Sequence, residues 1–143
     1  MGMERRTFLR RARDVSVGAS ICGALPWVTA CASVPYAEFR RSGGVLRVPR
    51  AAFETAPGVL LSFPDEGMPI YVHQHTERRY SAVLTRCTHQ GCQADPDQDR
   101  IRCPCHGSEY SLDGRVLQGP AEQSLTRYPV SVERDDILVE VGR

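Results

Sequence analysis

Cys87-Thr88-His89-Gln90-Gly91-Cys92 and Cys103-Pro104-Cys105-His106-Gly107-Ser108-Glu109-Tyr110 are two short stretches separated by a brief insert. Each offers a cysteine and a histidine two or three positions apart, Cys87 with His89 and Cys103 with His106, plus one spare cysteine. Two thiolates and two imidazoles make a complete four-ligand set for a metal centre, and the spare pair is free to cross-link the loops. Two chemistries compete for such a set. Tetrahedral zinc accepts it readily, but zinc modules usually pair Cys with Cys and His with His at each knuckle. Here each loop mixes the two types. Loops of this kind, facing each other, place both sulfurs on one side and both imidazoles on the other. An asymmetric 2Fe–2S centre requires that arrangement, and zinc is kept as the remote alternative.

These motifs resemble the cluster-binding boxes of Rieske iron–sulfur proteins, specifically those of cytochrome bc complexes. The run Gly114-Arg115-Val116-Leu117-Gln118-Gly119-Pro120-Ala121 resembles the same family, and the resemblance spans about Arg79 to Val141. It implies one 2Fe–2S cluster per chain, with Cys87 and Cys103 on the inner iron and His89 and His106 on the outer one. It further implies a Cys92–Cys105 disulfide, hydrogen bonds to sulfur from Ser108 and Tyr110, and shielding of the cluster by Gly119 and Pro120. The insert from Gln93 to Arg102 is shorter than the family often shows.

Replacing two thiolates by neutral imidazoles removes negative charge from the cluster and raises its potential. The expectation is a high-potential carrier, in the upper part of the roughly −150 to +300 mV Rieske range. The second ring nitrogens of His89 and His106 face solvent or a partner. Electron uptake is thereby expected to couple to proton uptake, as suits a quinol donor, with a c-type cytochrome as acceptor. The implied role is the iron–sulfur subunit of a bc-like complex, an electron-transfer subunit rather than an enzyme alone. A small subunit or stand-alone carrier of another periplasmic oxidoreductase, of the arsenite oxidase kind, is the second reading.

Length and charge bound the remainder. The chain has 143 residues and no lysine, and five of its eighteen arginines lie in the first thirteen positions. Beyond residue 30 there are 13 arginines against 15 acids, a net charge of −2. No basic patch suggests nucleic acid. The first segment, 1–30, with Arg5-Arg6 followed by Thr7-Phe8-Leu9, resembles a twin-arginine export signal. Val28-Thr29-Ala30-Cys31 resembles a lipobox, which would make Cys31 a lipidated first residue. An uncleaved membrane helix or simple cleavage are the rivals. Export places the protein on the periplasmic side of a bacterial membrane, anchored there, in an oxidising compartment where a disulfide persists.

Residues 31–44 read as a linker and 45–143 as the cluster domain. Alternating or apolar runs at Val45–Val48, Val59–Phe63, Ile70–His73 and Tyr80–Leu84 read as strands, with Gly114–Val116 as another. A closing hairpin pairs Arg127–Glu133 with Ile137–Val141. The expected fold is all-β, a small antiparallel sandwich with the cluster loops as a subdomain at one end. His73 and His75 lack a Cys or acid at ligand spacing and are expected to be solvent-facing or hydrogen-bonded imidazoles.

Overall fold

The computed structural model describes residues 33–142. The expectations for Arg5, Arg6 and Cys31 fall outside that range. Twelve strands are present: β1 (Arg40–Ser42), β2 (Val45–Pro49), β3 (Gly58–Leu61), β4 (Ile70–Thr76), β5 (Arg79–Leu84), β6 (Asp95–Pro96), β7 (Arg100–Arg102), β8 (Glu109–Ser111), β9 (Val116–Gln118), β10 (Arg127–Tyr128), β11 (Val130–Glu133) and β12 (Asp136–Glu140). They form three four-stranded antiparallel sheets, ordered β1-β2-β12-β11, β10-β5-β4-β3 and β6-β7-β8-β9. Two 3-10 turns, Arg50–Phe53 and Pro64–Glu66, are the helical elements among the described residues.

The middle sheet explains its own sequence. A strand covered on one face alternates apolar and polar residues, whereas one covered on both reads as a continuous apolar run. β2 and β12 alternate, burying Leu46 and Val48 directly across from Val139 and Ile137. β3, the first four residues of β4 and the last four of β5 are buried at every position. Val59, Leu61, Ile70, Val72, Ala82 and Leu84 pack with β2 and β12 in one core. The intervening Leu60, Tyr71 and Val83 point the other way, into a second core shared with Cys87, Cys103, Ile101 and Tyr110. The two Cys–His boxes are thus stacked on the outer face of the middle sheet.

The all-β antiparallel expectation stands, with four differences. The subdomain expected as loops is itself a sheet, β6 to β9, whose strands of two or three residues are too short to show a period. The described part of the segment expected as a linker belongs to the fold. Leu60 donates its N–H to Pro35 O and accepts from the Ala37 N–H, both at 2.9 Å, and Arg40–Ser42 pairs with β2. Third, the strand expected at Gly114–Val116 begins only at Val116. Gly114 sits in a turn at φ +86°, where a Cβ would meet Val83 Cγ1 at 2.9 Å.

The closing hairpin also switches sheets. β10 pairs with β5 in the middle sheet and β11 with β12 in the first, with Pro129 between them. Proline has no N–H to leave unpaired at such a crossing, and its carbonyl accepts from the Glu140 N–H at 3.0 Å.

Candidate metal centre

The two boxes fold to one backbone pattern. In the first, Cys87 N–H donates to Cys92 O and Gly91 N–H to Cys87 O, both at 2.8 Å. In the second, Cys103 N–H donates to Ser108 O at 2.8 Å and Gly107 N–H to Cys103 O at 3.0 Å. Gly91 and Gly107 hold left-handed conformations, φ 77° and 78°, which glycine adopts without penalty. Cys87 therefore corresponds to Cys103, and Cys92 to Ser108. β5 leads into the first loop, and β7 and β8 clamp the second. Glu109 accepts from Arg100 at 2.7 Å and Arg102 at 3.1 Å across that base.

Cys87 and Cys103 are free thiols, 2% and 1% exposed, and both lie in the second core. His89 and His106 are exposed, with ring centroids 5.0 Å apart at 80°. Cys92 and Cys105 are joined by a disulfide. The sulfurs of Cys92, Cys103 and Cys105 also cluster within 4.8 Å. Two of those three are spent in the disulfide, so among the described residues the thiols available as donors are Cys87 and Cys103. Sulfur donors inside and nitrogen donors outside suit a two-metal unit that takes one pair on each metal.

A hydrogen-bond network closes around Cys87. Tyr110 Oη lies 3.2 Å from Cys87 Sγ and accepts the Thr88 N–H at 3.2 Å. Thr88 Oγ1 donates to Gln123 O at 2.6 Å, leaving the Tyr110 proton for Cys87 Sγ and Thr88 Oγ1. Burial pushes the Cys87 thiol up, but the Tyr110 hydroxyl and the N–H groups of His89 and Gln90 outweigh it, so its pKa is lowered. Burial raises that of Tyr110. Ser108, fully buried, accepts the Ala121 N–H at 3.0 Å. The segment from Gly119, whose bond to Pro120 is cis, to Gln123 is thereby pinned to both boxes.

Residues that correspond to the sequence motifs therefore converge. Thr88, Ala121 and Gln123 had no expected role. Thr88 lies beside the first cysteine of its box, whereas the backbone groups of Ala121 and Gln123 leave no mark in side-chain identity. His73 and His75 stay apart from the centre. His73 Nδ1 is 3.0 Å from Tyr71 Oη, and His75 Nε2 is 2.8 Å from Ser81 Oγ, as expected of hydrogen-bonded imidazoles.

The Rieske [2Fe-2S] domain matches residues 48–129, which hold both boxes and the middle sheet. The chain belongs to the Rieske iron–sulfur family. The cytochrome b6-f complex iron–sulfur subunit of Chlorobaculum tepidum is 31% identical over 142 residues, covering 97% of this chain and 76% of that protein. The corresponding subunit of Synechococcus sp. (strain CC9605) is 32% identical over 151 residues, covering 96% and 85%. Among solved structures, the cyanobacterial plasma membrane Rieske protein PetC3 from Synechocystis PCC 6803 is 33% identical, with a TM-score of 0.56 over 64% of this chain and 93% of that one. A chain of a hyperthermophilic respiratory complex III shares the fold at 22% identity and a TM-score of 0.52. The Rieske domain carries a 2Fe–2S cluster and serves electron transfer, and the segregated donor set found here fits that group.

Proposed function

We propose that this Rieske protein is the iron–sulfur subunit of a quinol-oxidising complex of the bc or b6-f kind, passing electrons on to a c-type cytochrome. Cys87 and Cys103 hold the inner iron, and His89 and His106 the outer. When bound, the cluster supplies one-electron storage at high potential. The observation that carries this reading is the pairing of buried thiols with two neighbouring imidazoles at the exposed tip.

The residues do the rest. Tyr110 donates to the Cys87 sulfur, and Ser108 is assigned the same role by family resemblance; both favour the electron-rich state. The disulfide ties one loop to the other, and the Gly119–Pro120 segment keeps water off one flank. No carboxylate or guanidinium occurs in residues 87–94, 103–108 or 116–121. Leu117, 59% exposed, lies among them. Uncharged loop tips suit an apolar donor such as a quinol, and on this reading the outer nitrogens of His89 and His106 take up its protons. The names of the relatives support this assignment.

Export by the Arg5-Arg6 signal, a periplasmic location and an anchor at Cys31 or in an N-terminal helix complete the proposal. Co-purification with a b-type cytochrome tests the complex. Electron paramagnetic resonance of the reduced protein, combined with iron and sulfide counting, tests the ligand set. One zinc without labile sulfide refutes it. A midpoint potential that does not fall in alkaline solution refutes the proton coupling.

A further inference from the structure

Six of the twelve arginines among the described residues line two adjoining depressions that share Tyr80. In the second, about 310 Å³, Asp113 already pairs with Arg115 at 3.0 Å and lies 3.8 Å from Arg127. The first, about 420 Å³, is different. Arg50, Arg78 and Arg134 line it with Tyr80, Ser131 and Val132, and no carboxylate does.

None of these three arginines forms an ion pair with a carboxylate among the described residues. Arg50 is steadied instead by donating to Glu77 O at 2.5 Å. The nearest carboxylates in sequence to Arg134 are drawn elsewhere. Glu133 binds Arg47 and Asp136 binds Arg40, each at 3.0 Å, while Asp135 lines the depression on the other side of Arg50. In a domain with more acids than arginines, three guanidinium groups share one hollow without a counter-charge.

Arg134 adds an independent observation. Its φ is +52°, and among the described residues it is the one non-glycine in the left-handed region. Glycine or asparagine would occupy that turn at lower cost. Arginine stands there against its backbone preference, which points to a use for the side chain.

We propose that the Arg50–Arg78–Arg134 depression binds a phosphate group, either free or carried on a lipid headgroup. Guanidinium donors match phosphate oxygens in charge and geometry. Ser131 offers a hydroxyl, and Val132 with the Tyr80 ring offers an apolar wall for the remainder of an ester. The hollow adjoins the β4–β5 and β11–β12 turns. β5 runs away from it towards Cys87, so binding leaves the imidazole tip free. The proposal is independent of the redox assignment.

The test uses the cluster-loaded protein at low ionic strength. Inorganic phosphate is titrated calorimetrically, and sedimentation is followed with phosphatidylglycerol–phosphatidylcholine vesicles and with phosphatidylcholine alone. Saturable binding is expected, weakened roughly tenfold by Arg78→Gln or Arg134→Gly. Arg41→Gln on β1 is expected to leave it unchanged. Arg134→Gly is also expected to raise the Tm, separating the charge from the fold. Vesicle binding that requires phosphatidylglycerol and is displaced by phosphate identifies the headgroup as the source; phosphate binding without vesicle binding identifies the free ion. Absence of saturable binding in both arms, or an equal loss in Arg41→Gln, overturns the proposal.

Discussion

Tyr110 and Cys87, twenty-three positions apart, meet at 3.2 Å between hydroxyl oxygen and thiol sulfur. β8 carries the tyrosine, β5 delivers the cysteine, and the second core buries both. A donor aimed at a cluster ligand is worth more once that ligand gains electron density. Tyr110→Phe is therefore expected to lower the midpoint potential by some tens of millivolts, taking about 1 kcal/mol for one hydrogen bond and about 59 mV per 1.4 kcal/mol for one electron. Potentiometric titration reads this directly, and an unchanged potential removes Tyr110 from the tuning set.

On the proposed function Ser108 has two duties, tuning the cluster and accepting the Ala121 N–H, and its variant separates them from those of Tyr110. Ser108→Ala removes the acceptor of the Ala121 N–H at a fully buried position. Leaving that donor unmet costs about 1–3 kcal/mol. The variant should lose both potential and thermal stability, whereas Tyr110→Phe should mainly lose potential. Calorimetric melting beside the redox titration checks the contrast.

Acid stability should report on His73. Burial, then the neighbouring His75, pushes its pKa from 6.5 down to about 4. Between those values the unfolded chain binds the proton and the folded chain does not. Stability is therefore full above pH 6.5 and declines as pH falls towards 4, by on the order of 1–3 kcal/mol. Denaturant unfolding over that range should show the decline. His73→Gln should flatten it, and a wild-type profile no steeper than the variant's refutes the account.

Gly114 should tolerate no side chain. A Cβ there would lie 2.9 Å from Val83 Cγ1 and 3.2 Å from Leu125 Cβ, at φ +86°. Gly114→Ala is expected to cost about 1–3 kcal/mol through overpacking and backbone strain. Thermal unfolding measures it, and a neutral result shows that the turn can shift.

The site was far more legible in the sequence than the layering that supports it. Cys87, His89, Cys103 and His106 stand in two short boxes where residue type and spacing suffice. The Cys92–Cys105 bridge followed from resemblance, and the structure contains it. Thr88 meeting Gln123 O does not show in the sequence, because a carbonyl is common to every residue. The third sheet was hidden because three residues such as Arg100–Arg102 cannot display a period of two. Pro35–Phe39 looked like a linker because its contribution to Leu60 is made by backbone groups.

The matching backbone closures of the two loops have a consequence for speed. Each turn is held to its own shape by its own amides and carbonyls. Gain or loss of an electron at a centre so framed should displace few atoms. A small rearrangement keeps the activation barrier to electron hopping low, so traffic through the centre should be governed by how partners reach the tip.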